Sequence, residues 1–228
     1  MTMHGKTLAL RLRLLFALGL AVSLAAGAQS GGEIVLLEPR EPIDGVWSHS
    51  GFRNRTEYSQ VEIGGIAAIR AVGRSSASGL HRELRFRPAD FPWLEWTWRV
   101  DKLQERADIR VTGKDDYGAA IFLLFGRPGL LRRDVPTLSY VWTNDKLRVG
   151  DTAASPHHPG TSRSIVLQAG TQKLGQWLRE RRNIVEDYRR AFGVDPPDTV
   201  EMIVLWTDND QTGDPVEAYY GRIVARSK

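Results

Sequence analysis

The sequence predicts a mainly β protein, a jelly-roll-type β-sandwich carrying one short helix. Runs of strand length, roughly ten of them, either alternate apolar with polar residues or are apolar throughout, and turn-forming residues separate them. Strands and helices do not alternate, so the chain lacks the rhythm of a parallel, doubly wound sheet. Only the stretch from Asn183 to Gly193 carries a helical period with both a start and a stop signal. No internal repeat or low-complexity linker divides the 228 residues, so a single domain is expected.

The N-terminal stretch stands apart. Lys6, Arg11 and Arg13 precede an apolar run from Leu14 to Leu24, which Ala26-Gly27-Ala28 closes. This is the three-part pattern of a secretory signal peptide. Cleavage after Ala28 leaves residues 29–228 as an exported domain, periplasmic or extracellular. No later run approaches the ~20 apolar residues of a membrane-spanning helix. The net charge of +4 includes three cations and no acid from that segment. The remainder is close to neutral, which offers no strong field to nucleic acid or anionic lipid. With no cysteine in the chain, disulfides, thiolate catalysis and thiolate metal ligands are excluded.

The elements follow in order. Residues 33–41 read as a lead-in strand and a proline turn. Gly64-Gly65 joins QVEI to IAAIRAV, a two-residue hairpin because both positions tolerate positive φ. After a small-residue turn at 75–79, Leu80, Arg82, Leu84 and Phe86 alternate with His81, Glu83, Arg85 and Arg87, a strand with one wet face. Pro88 and Pro92 lead into WLEWTWRV, residues 93–100. Period two puts Leu94, Trp96, Trp98 and Val100 on a core face and Trp93, Glu95, Thr97 and Arg99 on a face turned to water or to a ligand.

Asp101 to Lys114 is charged and reads as an exposed loop, with Asp115-Asp116-Tyr117 at its end. The continuously apolar run from Gly118 to Phe125 fits a central strand covered on both faces. Leu138 to Thr143 is a strand, 144–162 a long polar loop containing His157-His158-Pro159, and Ser164 to Gln168 a further strand. The helix begins at Asn183, whose side chain with Glu186 three residues on forms a capping-box pattern. Ile184, Tyr188 and Phe192 give it an apolar stripe, and Gly193 stops it before Pro196-Pro197. The arginines around it read as a solvated face. Val200 to Thr207 and Ala218 to Val224 close the sandwich across an Asp-rich turn.

Several residues are candidates for chemistry. Glu95 and Arg99 lie on the open face of the tryptophan strand. Asp115 and Asp116 could supply acid–base or metal chemistry, although adjacent strand residues diverge, and a capping role is the plainer reading. Tyr140 and Trp142 share a strand face and form either a stacking platform for a sugar ring or part of the core, where aromatics at period two more often belong. His157-His158 reads as a solvated turn rather than a metal site. Asp208, Asp210 and Thr212, followed by Gly213, partly match a calcium loop of D-x-[DN]-x-[DN]-G type. Thr212 stands where a carboxylate or amide is expected, and Tyr219 cannot give the bidentate twelfth ligand. A polar turn is the alternative, and no other cofactor is expected. The chain shows no G-x-S-x-G, H-E-x-x-H, P-loop or dinucleotide glycine motif.

The segments FPWLEWTWRVD, DDYGAAIFLLF, LSYVWTN, RRNIVEDYRRAFG and WTDNDQTGDPVEAYYGRI together resemble the domain of unknown function 3047 family of exported bacterial proteins. The resemblance runs from Trp47 to Ile223 and implies an exported single domain without implying an activity. A weaker, fold-level similarity runs to galactose-binding-like carbohydrate modules. Three functions remain open on the sequence: a binding module for a glycan or envelope component, a hydrolase with a carboxylate pair, and a structural envelope protein with a protein partner. An open aromatic strip would favour the first, carboxylates converging across a cleft the second, and a flat apolar patch the third.

Overall fold

The computed structural model describes residues 32–128 and 134–228; the expected signal peptide, residues 1–28, lies outside them. Two sheets face each other. Numbered along the chain, β1 (Glu33–Leu37), β3 (Glu57–Ile63), β4 (Ile66–Val72), β6 (Trp93–Lys102), β11 (Leu178–Asn183) and β13 (Glu217–Arg226) form the first, in the order β11-β6-β13-β4-β3 with β1 also on β13. The second runs β2-β5-β12-β7-β8-β10-β9. Its strands are β2 (Ser48–Arg53), β5 (Ala77–Phe86), β7 (Ala119–Leu124), β8 (Thr137–Thr143), β9 (Thr152–Ala154), β10 (Ser162–Ala169) and β12 (Val200–Trp206). This is the expected jelly-roll-type sandwich. Among the described residues no helix is long and apolar enough to cross a membrane.

The tryptophan strand organises the core as its period implies. Leu94, Trp96, Trp98 and Val100 are at most 2% exposed. Trp96 meets Trp98 edge-on at 5.5 Å, and across the sandwich Trp96 lies 5.3 Å from Tyr140 and Trp98 6.0 Å from Trp142. Both sheets therefore close on facing rings, which bury large apolar areas. The β3–β4 hairpin turns on Gly64 and Gly65 at φ 61° and 79°, left-handed values at both central positions, as such a tight turn requires. The helix α1 (Ile184–Phe192) starts where expected: Asn183 Oδ1 accepts from the amides of Val185 and Glu186, and Gly193 ends it at φ 74°.

Three strands were not anticipated. In β2, SHSGFR has no apolar period because it is an edge strand; β9 is only three residues long. The run LRERRN is β11, the other sheet's edge, where charged side chains guard an open ladder. Residues 103–118 are not a freely exposed loop either. Ala107 and Ile109 are buried, and the Asn144 amide donates to the carbonyls of Gln104, Glu105 and Ala107. That fixes the segment over the second sheet.

The outer face of the first sheet is a lattice of ion pairs. Glu95, expected to look outward, is only 9% exposed. Arg179 and Arg181 from β11 and Arg226 from β13 close over its carboxylate at 3.0–3.2 Å, and Arg181 also lies over the Trp93 ring. Arg99 is engaged by both oxygens of Asp101. Further along, burial alone would raise the Glu217 pKa, but Lys102, the Tyr219 hydroxyl and Arg70 outweigh it and hold the carboxyl at about 2. A folded-state pKa below the unfolded one contributes stability that is complete above about pH 4.5 and lost as the pH falls toward 2. Glu217→Gln should therefore remove on the order of 1–3 kcal/mol at neutral pH and flatten the acid limb of a stability–pH curve in that window. Urea unfolding at pH 7, 4 and 2.5 measures this; parallel curves for both proteins would refute it.

Candidate functional site

Among the described residues nothing covers part of the outer face of the second sheet, and aromatic side chains line up there. Cross-strand register puts Gly79 opposite Trp206, Trp206 opposite Ala120, and Val204 opposite Phe122, so Trp206 and Phe122 point away from the core. Phe52, on the edge strand β2, is 90% exposed, and its ring centre lies 6.1 Å from that of Trp206. Trp206 lies nearly parallel to Phe122 at 6.0 Å, and Phe122 meets Tyr117 edge-on at 5.6 Å. Four rings thus stand in file across β2, β12 and β7, the last three partly exposed. Gly79 makes room for the row: a Cβ there would come within 2.6 Å of the indole, so only glycine lets Trp206 lie on the β5 backbone.

The rest of that face is covered. Ile109, Leu147 and Ala153 pack over Ala120, Val141 and Val166, and Val135 packs with Leu124 and Val204. The aromatic file is therefore flanked on one side by residues 103–118 and the crossover between β8 and β10, and on the other by the segment that carries Val135. That crossover is long because β8 and β10 pair in parallel, which a short turn cannot achieve.

An acidic group sits at the β12 end of the file. Carboxylate oxygens of Asp116, Asp208 and Asp210 lie within 4.8 Å of one another. The sequence pattern expected Thr212 as a ligand beside Asp208 and Asp210; the structure corrects this. The Thr212 hydroxyl and amide, with the Gln211 amide, donate instead to Asp116, which is fully buried. Asp116 thereby clamps the 208–214 turn. Asp208 accepts from the Tyr117 amide at 2.7 Å. Burial drives its carboxyl well above the usual carboxylate range; Asp116 and Asp210 add to that rise, and the Tyr117 backbone and the Trp206 indole oppose it. Asp210, less buried, is raised for the same first reason. Chemically the group could hold a hard cation, although all three of its carboxylates already take protein N–H donors.

The other anticipated residues lie elsewhere. Asp115 takes the Gly113 amide and His157 Nε2, the latter at 2.8 Å, while His158 pairs with Asp134. The adjacent aspartates thus diverge, as strand-like geometry requires. Tyr140 and Trp142 are fully buried and form core, not a stacking platform: β8 turns these two inward and Ser139 and Val141 outward. Glu95 and Arg99 belong to the ion-pair lattice on the opposite side of the molecule. Phe52, Phe122 and Trp206, which build the open face, were not singled out on the sequence. Trp206 and Asp208, two residues apart at the end of an apolar strand, were the available signal.

Residues 46–224 match the family described as "Protein of unknown function (DUF3047)". No curated protein matches the chain. Among solved structures, the family 30 carbohydrate-binding module of the cellulosomal cellulase Cel9D-Cel44B of Clostridium thermocellum is 10% identical, covers 84% of this chain and 96% of its own, and superposes with a TM-score of 0.43. For the xyloglucanase domain of NopAA from Sinorhizobium fredii the values are 8%, 79%, 93% and 0.41. For the family 11 xylanase from Neocallimastix patriciarum they are 9%, 86%, 93% and 0.38.

Proposed function

The chain belongs to the DUF3047 family, and we propose that it is an exported glycan-binding module whose platform is the file Phe52–Trp206–Phe122–Tyr117. The observation that supports this is the exposure and spacing of those rings. A pyranose presents an apolar C–H face that stacks on an aromatic ring and a rim of hydroxyls that needs polar neighbours. The file supplies the first; Ser50, His81 and the 208–214 turn lie beside it for the second. An aromatic as exposed as Phe52, on a polar edge strand, contributes little to the core and suits a contact surface.

Hydrolysis is less well supported by the same geometry. Asp116, Asp208 and Asp210 form one cluster, an oxygen of each within 4.8 Å of the others, rather than two carboxylates facing each other across a cleft. Asp116 is also committed to the turn. Binding without cleavage is the expected result. Trp206→Ala should lower affinity for a bound polysaccharide by about tenfold or more, equivalent to ~1.4 kcal/mol, and Phe52→Ala should weaken it while leaving the melting temperature nearly unchanged. Affinity electrophoresis through gels containing soluble polysaccharides reads both effects. Unaltered retention of the two variants would refute the platform, and release of reducing sugar by the native protein would favour the hydrolase.

A further inference from the structure

We propose that the β2 end of this platform recognises a carboxylate, so that the ligand is an acidic, uronate-bearing polysaccharide; this rests on the platform reading above. Beside Phe52 lies a cavity of about 300 Å³, walled by His49, Ser50, Phe52, Arg53, Arg55 and Ser78 among others, at the lower end of the size range of small-molecule sites. It shares Phe52 with the aromatic file, so a chain stacked on Trp206 and Phe52 brings its next residue there.

The two arginines are open to a ligand's acid. Most described guanidiniums are taken up by carboxylates, as Arg127 is by Glu83 and Glu201, Arg106 by Asp214 and Arg110 by Asp108; Arg163 and Arg190 go instead to main-chain carbonyls. Arg53 and Arg55 have no carboxylate at ion-pair distance among the described residues, and every Asp and Glu of the chain lies within those residues. Arg53 makes one long contact, 3.5 Å to the main-chain carbonyl of Asp210. The Asp210 carboxylate, whose ionised form Arg53 favours through space, faces the Gln211 amide and the acidic group instead. Asp44 acts on His49 through space without reaching either arginine. Burial first, and then Arg55, lowers the His49 pKa, so near neutral pH the pocket's positive charge comes from the guanidiniums. A guanidinium fork matches the two oxygens of a carboxylate, and it gains most where no protein acid already occupies it.

The test is retention of residues 29–228 in gels containing polygalacturonate, carboxyl-reduced polygalacturonate, dextran sulfate, or the neutral polymer xyloglucan. The variants are Arg53→Ala/Arg55→Ala, Trp206→Ala, and a charge-matched control, Arg40→Ala/Arg74→Ala, whose arginines pair with Glu62 and Glu57 on the other sheet. Circular dichroism melts establish that each is folded. The native protein should bind polygalacturonate about tenfold or more tighter than its reduced form. The Arg53/Arg55 variant should lose that margin, the control should keep it, and added salt should erode it. If the reduced polymer or xyloglucan is retained as strongly as polygalacturonate, and only Trp206→Ala abolishes retention, the carboxylate reading falls and the platform stands. Preference for dextran sulfate over polygalacturonate would overturn the uronate assignment. Retention by none of the four would remove both readings.

Discussion

Replacing Trp98 by alanine should lower the unfolding free energy by about 3–5 kcal/mol, and Trp96→Ala by a similar amount. Both indoles are buried at the centre of the sandwich, so truncation leaves a cavity between two rigid sheets that cannot collapse on it. The two sites should differ under gentler change. The Trp98 indole N–H donates to Glu180 at 3.3 Å, whereas the Trp96 nitrogen is buried with no partner among the described residues. Trp96→Phe should thus cost less than Trp98→Phe, which strips a hydrogen bond from a carboxylate that burial already disfavours. Glu95, on the reverse face of the same strand, should not be silent: Glu95→Ala leaves Arg179, Arg181 and Arg226 facing one another, at a cost of roughly 1–3 kcal/mol. Urea midpoints of the five variants would check the series, and equal losses for Trp96→Phe and Trp98→Phe would refute the hydrogen-bond assignment.

Asp187→Ala should be the most damaging change in the helix, by about 3 kcal/mol. The side chain is buried, forms a bidentate pair with Arg182, and accepts from the Tyr140 hydroxyl at 3.0 Å. Its removal leaves a half-buried guanidinium and a fully buried hydroxyl without their acceptor. Tyr140→Phe, which deletes only the hydroxyl, should cost about 1 kcal/mol. In the double variant the two losses should not add, since the phenylalanine has nothing left for the carboxylate to satisfy. A double-mutant cycle by urea denaturation measures the coupling; strict additivity would mean that the Tyr140–Asp187 bond contributes nothing.

The tryptophan strand was legible because a period of two is a local property: once residues 93–100 form a strand, the sides of Trp96 and Glu95 are decided together. The helix was legible for the same reason, with Asn183 and Gly193 acting on their own neighbours. Tyr140 and Trp142 mark the limit. Alternation says that they share a side, and only the packing of β8 opposite β6 says which side is inward. The aromatic file lies beyond that limit altogether. Phe52, Tyr117, Phe122 and Trp206 are brought together by the order β2-β5-β12-β7, and no local pattern encodes which strands become neighbours. The same holds for Asp116, which replaces Thr212 in the acidic group because the end of the 103–118 segment meets the 208–214 turn.

One pairing has a kinetic consequence. β13, the last strand of the chain, lies inside its sheet, bonded to β6 along its length, to β4 near Glu217–Tyr220 and to β1 near Ile223–Arg226. The sheet that carries the tryptophans therefore closes on contacts that join positions almost two hundred residues apart, as in Glu33 with Arg226. Such non-local closure makes folding slow.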